Sequence, residues 1–489
     1  MRMFRTTRER RIRHTHGCME TVRIISLFLP LPHGARHQNP LLAVPADARQ
    51  DAALRRSRER GGFVKAVAVA ALFFWLGLRY RECVTDGVSR ALFAVHDEPE
   101  PAAPWPIPEE YTADCVDWTG IGASPAGDEL PLSAEAGLEL PVSAESLFVL
   151  SRAVEHHELF ASGHVKFVQS GNADAIKVDA TAYFYHKEYL AHSKMCLLTS
   201  GQGESGVGLF TNWASKPDHR RHRHARVRLD VTLTVPAVQG LPLERLWTDL
   251  TAFEQKFGDL SAIAFDSLNI KGAVGAISAE ALQANVAHVT TNVGSIELAR
   301  LSATSANVTT SAGQVTGSFS ASESLGLVTS TGSIIAQIEL SDDAADGPAQ
   351  LVLHTSAGSI DSTVALSSTK GDSAFNVTAE TSTGKLTLAV PSAPLDSTIT
   401  IDARNGFGAA RVSLPPTFEG SLRAKTSFGS TSVNVAEKVE DPSGQGRKRQ
   451  VSISTKRSSV EGSVGWSTEG LSRGSVNVET NVAGVTLDI

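Results

Sequence analysis

A six-residue unit of sequence recurs along the second half of the chain and restricts its fold more than any other feature. Its first residue is threonine, its second is serine or asparagine, its fourth is glycine and its sixth is apolar except at Thr431, while the third and fifth positions accept any residue. The fourth position of each clear copy is a glycine: Gly294, Gly313, Gly332, Gly358, Gly384 and Gly429. The first five glycines are separated by 19, 19, 26 and 26 residues, and a looser copy closes the chain at Thr480–Val485. Serine or asparagine close to glycine predicts a tight turn, in which glycine takes a backbone conformation that a Cβ would hinder.

This repeat length predicts the architecture of the second half. A unit of 19 to 26 residues matches one coil of a β-solenoid, in which each coil buries its apolar residues against the next. We therefore predict an all-β chain with a parallel β-solenoid or β-helix-like body over residues 259–489. The alternative is an antiparallel sandwich whose hairpins resemble one another.

The residues before this body also have the pattern of strands. Apolar residues in Val227–Leu233 alternate with polar ones, as in a strand with one buried face. Segments of this kind predict an N-terminal β-rich region over residues 132–258. The exception is Leu243–Phe257, whose large apolar residues follow helical spacing and predict one helix.

Charge is unevenly distributed along the chain. The net charge is −7, but residues 1–60 carry 13 arginines and five acidic residues, so the remainder is strongly acidic. A basic tail beside an acidic body predicts two compartments separated by a membrane. The alternative is a nucleic-acid-binding arm. Because the body offers no basic groove to extend such a contact, we predict no nucleic-acid partner.

An apolar segment follows the basic tail. Ala66–Leu78 is apolar throughout, and the predicted transmembrane helix over residues 63–80 is close to the length that crosses a bilayer. Arginines directly before it keep the N-terminus cytoplasmic under the positive-inside rule. We therefore predict a signal-anchored, single-pass type II membrane protein whose C-terminal body lies at the cell surface or in the secretory pathway. A cleaved signal peptide is the alternative.

The segments on either side of the predicted span are expected to lack a core. Residues 1–62 are predicted to form a disordered cytoplasmic tail. Residues 81–131, rich in proline and acidic residues, are predicted to form an extended linker.

The predicted extracytoplasmic location bears on two further features. Cys115 and Cys196 fall in the body, where oxidising conditions would allow one disulfide, and free or buried thiols are the alternative. Asn307 and Asn376 each begin an N-glycosylation sequon and are predicted glycosylation sites.

Two polar clusters were considered as metal sites. The first contains His219, His222 and His224, interleaved with arginines that would repel a cation. The second contains Asp342, Asp343 and Asp346, without the spacing of an EF-hand. Both are interpreted as solvated loops. We predict no metal, no cofactor and no catalytic residue, since the repeat turns present serine, threonine and asparagine rather than paired carboxylates.

Several stretches of the body resemble a known group of proteins. They include Asp114–Trp118, Leu140–Arg152, Met195–Leu198, Gly206–Thr211, Gly258–Lys271, Val460–Trp466 and Gly474–Ile489. Over residues 112–489 the chain resembles adhesin-like proteins of unknown function from basidiomycete fungi, which carry repeated Thr-Ser-Asn turns in a β-rich body. The resemblance implies no catalytic residues. In this chain the serine-asparagine turn is often replaced by Ser-Ala-Gly or Ser-Thr-Gly.

These patterns together predict a membrane-anchored, adhesin-like structural or interaction protein and not an enzyme. Its expected partners are the membrane, through residues 63–80, and cell-wall glycans or other surface proteins. The alternative is a carbohydrate-active enzyme or a glycan-binding lectin on a β-solenoid. An intracellular scaffold is a third hypothesis. The partner and the oligomeric state stay open.

Overall fold

The computed structural model describes residues 104–124, 130–153, 161–171, 175–201, 203–212, 227–237, 241–343 and 347–489. Strands dominate these residues, so the predicted all-β class is confirmed. The predicted tail and the predicted membrane span lie outside the described residues. Among the helices of the described part, none is long and apolar enough to cross a bilayer.

Short strands and one helical turn form the N-terminal part of the described chain. They are β1 (Thr112–Val116), β2 (Thr119–Ala123), β3 (Leu132–Leu140), β4 (Ser146–Ala153), β5 (Ser162–Ser170), β6 (Ile176–Phe184), α1 (Lys187–Leu190), β7 (Ser193–Thr199), β8 (Glu204–Thr211) and β9 (Val227–Pro236). Pairing is parallel between β4 and β8 and between β5 and β9. The other pairs within this part, such as β3 with β6 and β7 with β8, are antiparallel.

Longer strands form the middle of the chain. They are β10 (Arg245–Leu250), β11 (Phe253–Val274), β12 (Ile277–Val293), β13 (Ile296–Ala312) and β14 (Val315–Thr331). The last four have 17 to 22 residues each. Each pairs with the next in parallel along nearly its whole length.

The C-terminal part returns to short strands. They are β15 (Ile334–Ser341), β16 (Ala349–Ala357), β17 (Ile360–Ser367), β18 (Ala374–Thr383), β19 (Leu386–Ser392), β20 (Thr398–Phe407), β21 (Ala410–Ser413), β22 (Gly420–Phe428), β23 (Thr431–Asn434), β24 (Gln450–Thr455), β25 (Ser459–Gly465), β26 (Gly474–Val482) and β27 (Val485–Asp488). A 3₁₀ turn at Gly470–Ser472 precedes β26.

The strands form two hydrogen-bonded rows. The first row runs β1-β7-β8-β4-β10-β11-β12-β13-β14-β16-β18-β20-β26-β22-β25-β24. The second row runs β2-β3-β6-β9-β5-β11-β12-β13-β14-β15-β17-β19-β21-β27-β23. Because β11 to β14 take part in both rows, all the strands of the described part belong to one mixed sheet.

Repeated units stack in parallel register through the middle of both rows. Ile277 pairs with Ile296, Ile296 with Val315, Val315 with Ile334, and Ile334 with Ile360. These apolar residues close successive copies of the repeat, so their spacing is that of the glycines. The antiparallel alternative is therefore wrong for the repeats. The complete sheet is mixed rather than parallel, because antiparallel strands flank the parallel part at both ends.

One core lies between the two rows. Ala349, Leu351 and Leu353 of β16 are buried in the same apolar cluster as Ile360 and Val364 of β17. Since successive side chains of a strand point to opposite faces, every second residue enters this core and the others face outward.

The order of the last units does not follow the order of the chain. β26 lies between β20 and β22 in the first row, and β27 lies between β21 and β23 in the second. The C-terminal repeat is thus inserted between two repeats that precede it in the sequence.

The predicted helix over Leu243–Phe257 is wrong, since these residues lie mainly in β10 and β11. Alternate residues of both strands are buried, and polar Thr248 and Gln255 occupy two of the inward positions. The connection at Thr251–Ala252 shifts the alternation by one position. Large apolar residues consequently fall three or four residues apart, which imitates a helix.

The predicted linker over residues 81–131 is also wrong in its C-terminal part, where β1 and β2 lie. The Tyr111 ring packs against Phe148, with ring centroids 4.9 Å apart, and burial raises the pKa of its hydroxyl. Phe148 belongs to a second, smaller apolar cluster on the outer face of the first row, and Trp105 packs against this cluster. Cys115 faces Cys196 across the antiparallel β1–β7 pair, and a disulfide joins them.

Replacing Thr248 with valine should destabilise the fold. The Thr248 hydroxyl donates to Gln255 Oε1 at 2.6 Å and accepts from the Lys271 N–H at 3.2 Å, in a fully buried environment. Losing these bonds leaves buried polar groups unsatisfied, so we expect the free energy of unfolding to fall by about 1–3 kcal/mol. Urea denaturation of the full chain measures it, with Thr400→Val at an exposed strand position as the control. Equal stability of the two variants would contradict the prediction.

Candidate functional site

The repeat glycines lie in one column, at the corners where the chain passes from the first row to the second. A Cβ on Gly313 would lie 1.9 Å from the carbonyl oxygen of Gly294, and one on Gly358 would lie 1.8 Å from that of Gly332. Close approach of backbone to backbone therefore requires glycine at these positions. This column contains the predicted Gly294, Gly313, Gly332, Gly358, Gly384 and Gly429, and also Gly275 and Gly408.

The sequence predicts glycine at these turns because the backbone takes a conformation that a Cβ would hinder. That reason holds at some corners only. Gly294, Gly332 and Gly384 have φ angles of 153°, 151° and 144°. Gly358 and Gly429 do not have a positive φ of this kind, yet each is just as crowded. The shared feature of these glycines is thus the close approach of the neighbouring backbone. Ala483 takes the corresponding place in the C-terminal repeat with a φ of 126°, so one corner of the column accommodates a Cβ.

A ladder of buried threonines supports the glycine column. The Thr310 hydroxyl donates to the Gly294 carbonyl at 2.9 Å, and Thr355 repeats the contact on Gly332 at 2.9 Å. Equivalent bonds come from Thr291, Thr329, Thr381, Thr426 and Thr480. At one corner an asparagine replaces the threonine, and Asn405 Nδ2 donates to the Gly384 carbonyl at 2.8 Å. This threonine is the first residue of the unit in the sequence, but the sequence alone does not indicate its role, because turn preferences point to the serine or asparagine that follows it.

The third position of the unit faces solvent at every corner. It forms an outward column of Val274, Val293, Ala312, Thr331, Ala357, Thr383, Phe407, Val482 and Phe428, in spatial order. The last three residues of this column are exposed by 62%, 40% and 75%. We call Phe407, Val482 and Phe428 the corner ridge. Because neighbouring strands lie about 4.8 Å apart, the two phenylalanine Cα atoms are about 10 Å apart.

An open groove of about 420 Å³ adjoins the ridge. Phe407 lines it, together with Glu380, Arg404, Glu479 and Asn481. We call it the corner groove. Register places Glu380 beside Arg404 and Arg404 beside Glu479, so charges of opposite sign alternate across adjacent strands.

This alternation continues on both sides of the groove. His354 Nδ1 lies 3.7 Å from Glu380 Oε2, and Lys425 Nζ lies 4.0 Å from Glu479 Oε1. The two carboxylate side chains are 48% and 35% exposed. The site therefore combines one aromatic ring with a solvated set of hydrogen-bond donors and acceptors of nearly balanced charge.

A second open groove, of about 600 Å³, lies on the second row. Hydroxyl-bearing residues such as Ser302, Ser318 and Thr363 line it. Its aromatic residue, Phe319, is buried and does not present a ring to solvent. The corner groove is thus the better candidate for binding a ligand with both apolar and polar surface.

The residues considered as metal ligands do not form a site in the described structure. Asp342 Oδ2 accepts from the Ala374 N–H at 2.9 Å, and Asp343 Oδ1 accepts from the Thr369 N–H at 2.7 Å. The Thr369 hydroxyl donates to the same carboxylate oxygen. Both bonds lower the pKa of Asp343, and the backbone bond has the larger effect. Within the described residues, no group of three histidine, cysteine or acidic side chains could hold a metal ion. Asp346 and the cluster of His219, His222 and His224 lie outside them.

The predicted glycosylation sites are both on the outer face of the first row. Asn307 in β13 and Asn376 in β18 are exposed. Neither asparagine lines the corner groove. Asn376 nevertheless lies on β18, four residues before the groove residue Glu380 and on the same outward face.

Comparison with known proteins gives a partial match. Residues 306–482 match the model of a domain of unknown function (DUF7330). This region includes Phe407, Phe428 and the whole corner groove. No curated protein matches the chain.

Some solved structures are similar to parts of the chain. One is a proposed cell adhesion protein from Clostridium sporogenes, with 10% identity, 73% of this chain and 99% of that chain covered, and a TM-score of 0.16. Another is a proposed adhesin from Bacteroides fragilis, with 10% identity, coverage of 73% and 97%, and a TM-score of 0.23. A third is a proposed lipid-binding protein from Parabacteroides distasonis, with 12% identity, coverage of 57% and 90%, and a TM-score of 0.24. At these TM-scores the likeness supports no argument about fold or function.

Adding a methyl group at a corner should destabilise the stack. In Gly358→Ala the new Cβ would meet the Gly332 carbonyl oxygen at 1.8 Å, so the backbones of two units must separate. We expect a loss of about 2 kcal/mol in the free energy of unfolding, measured by urea denaturation of the full chain. Gly347→Ala is the matched control, because a Cβ there meets nothing within 4 Å. An unchanged stability of Gly358→Ala would contradict the role assigned to the column.

Proposed function

We propose that this chain is an adhesin-like contact protein that binds neutral glycan chains at the corner ridge and corner groove. The observation that carries the proposal is the exposure of Phe407 and Phe428, by 62% and 75%, on strands separated only by β26. Large exposed apolar side chains grouped on a surface usually mark a contact site. Aromatic residues are also the side chains that most often dominate binding energy at such sites.

The chemistry of the site favours a neutral ligand with many hydroxyl groups. One face of a pyranose ring presents C–H bonds that pack on an aromatic ring, while its hydroxyl groups donate and accept hydrogen bonds. Glu380 and Glu479 supply acceptors, Arg404 supplies donors, and the Asn481 amide supplies both. Arg404 also bonds to Asp402, and Lys425 lies beside Glu479, so the groove and its surroundings contain three carboxylates and two permanent cations. This small negative charge disfavours an anionic ligand. A separation of about 10 Å between the ridge phenylalanines, from the spacing of strands, suits an extended chain rather than a single sugar.

The fold of the repeat body and its position relative to the membrane are proposed from the sequence. We place the repeat body as a β-solenoid held outside the membrane by a type II anchor at residues 63–80. Support for the solenoid comes from the parallel register of the repeats. Kinship with basidiomycete adhesin-like proteins belongs to the same proposal and rests on the stretches of sequence described above.

A carbohydrate-active enzyme is the second candidate, because Glu380 and Glu479 line one groove two strands apart. A glycosidase of the usual kind needs one carboxyl group kept protonated by an apolar pocket. Here both side chains are well exposed, and each lies beside a cationic or ionisable base, His354 or Lys425. This environment suits binding better than acid catalysis, and we propose that the protein is not an enzyme.

Removing the ridge rings should weaken glycan binding. For the full chain with Phe407→Ala and Phe428→Ala, we expect binding to β-linked polysaccharides such as cellulose, chitin or β-glucan to fall about tenfold or more, since each ring is a candidate hot spot. Depletion of the protein from solution by insoluble polysaccharide measures it. Val293→Ala is the matched control, being 51% exposed in the same column but distant from the groove. Circular dichroism checks that each variant is folded.

Two outcomes would contradict this function. If the ridge variant bound the polysaccharides as tightly as the unmodified chain does, the ridge would not be part of the binding site. Release of new reducing ends by the unmodified protein, lost in Glu380→Gln or Glu479→Gln, would instead establish the enzyme.

The predicted location has its own test. If the body enters the secretory pathway, Asn307 and Asn376 should carry N-glycans on the protein produced in a eukaryotic cell, because both side chains are exposed. Mass spectrometry of peptides before and after enzymatic deglycosylation identifies them, with Asn307→Gln and Asn376→Gln as controls. Unmodified asparagine at both sites would argue for the intracellular alternative.

A further inference from the structure

The first row of strands ends in an exposed edge. β24 pairs with β25 through all six of its residues, from Gln450 opposite Gly465 to Thr455 opposite Val460. Within the part of the chain that the structure describes, no strand pairs with the other edge of β24. The outward backbone N–H and C=O groups of an edge strand are a ready template for another strand.

The side chains of β24 are not buried against the rest of the protein. All six residues of the strand are exposed, including Val451 at 37% and Ile453 at 38%. β24 has no proline, the residue that most often blocks strand addition. Its β-branched residues alternate with serines, a pattern that suits pairing with an extended chain.

Cationic residues flank the strand on both sides. Lys448 and Arg449 precede it, and Lys456 and Arg457 follow it. The guanidinium nitrogens of Arg449 are buried without a hydrogen-bond partner within the described residues, and the group lies 6.0 Å from the centroid of the Trp466 ring. The exposed cation directly before the strand is therefore Lys448. Lys456 is partly compensated, since its Nζ lies 2.7 Å from Glu461 Oε2. The edge is therefore positive in a chain whose net charge is −7.

This charge pattern opposes pairing with a second copy. If two β24 strands paired in register and antiparallel, Lys448 would face Arg457 and Arg449 would face Lys456. In a parallel pair each cation would face its own counterpart. Like charges directly opposite one another destabilise a strand pair, so the pattern disfavours both arrangements.

We propose that the open edge of β24 binds an extended acidic segment of another protein by strand addition. Main-chain hydrogen bonds along Gln450–Thr455 supply the affinity, as in other peptide-binding sheet edges. Val451 and Ile453 contact apolar residues at alternate positions of the segment, and the flanking cations select acidic residues at its two ends. β24 is separated from β22, the strand of Phe428, by β25 alone. None of the residues that line the corner groove belongs to β24 or β25, so the two proposals can be tested separately.

Three labelled peptides test this inference on the full chain. The first alternates valine and threonine over five residues and has two glutamates at each end. In the second, lysines replace the glutamates. In the third, the glutamates are kept and prolines replace the threonines, which prevents strand pairing without changing the charge. We expect fluorescence anisotropy to show the first peptide binding about tenfold more tightly than either of the others, since both charge and backbone pairing are needed.

A charge reversal separates this site from general electrostatic attraction. The double variant Lys456→Glu, Arg457→Glu should lose most of the affinity for the acidic strand peptide and gain affinity for the lysine peptide. The double variant Lys166→Glu, Lys385→Glu makes the same change of net charge at two exposed positions elsewhere and should bind as the unmodified chain does.

Four results would overturn the proposal. The first is equal binding of the two acidic peptides, which would indicate that charge alone determines binding. The second is absence of binding by all three peptides, and the third is an equal loss of binding in the two double variants. The fourth is a concentration-dependent dimer of the chain that the Lys456→Glu, Arg457→Glu variant changes. The last result, observed by analytical ultracentrifugation, would assign the edge to a second copy of the chain.

Discussion

The close approach of one backbone to the next at the corners is the constraint on which the stack depends. Units stack at strand distance only where the corner residue leaves room for the neighbouring backbone, and each corner carbonyl that is removed from water needs a donor. Glycine meets the first requirement, as the crowding at Gly313 and Gly358 shows. A buried threonine meets the second, by donating to the glycine carbonyl of the neighbouring unit. The two residues act together, which explains why the sequence repeats them together.

Much of this architecture could be predicted from the sequence, because glycine spacing and alternating apolar residues report directly on local geometry. The parallel stacking followed from the position of Gly294 and its successors. The helix at Leu243–Phe257 was predicted wrongly because polar Thr248 and Gln255 occupy inward positions and bond to each other, which no hydropathy pattern indicates. The insertion of β26 between β20 and β22 was equally hidden, since strand order depends on contacts between segments distant in the chain.

The candidate binding site was hidden for a related reason. Phe407 and Phe428 occupy the third position of the repeat, one of the two at which any residue is accepted, so the sequence marks them as variable rather than as functional. They lie close together on one ridge because only one strand, β26, stands between the strands that carry them. The corner geometry fixes the outward direction of this position, and the stacking order decides which residues share it. A contact surface can therefore change while the core and the corners stay the same.

The inserted C-terminal repeat affects how the protein is made. The ribosome produces β22 well before β26, yet in the finished structure β26 separates β22 from β20. β22 is also the first strand of this row after β20 in the sequence, and both strands carry the same pattern of inward residues. Premature pairing of these two strands would leave β26 without a place. The native order thus requires this edge of β20 to pair with β26 rather than with β22, a choice between two similar strands of the kind that leads to misassembly in repeat proteins.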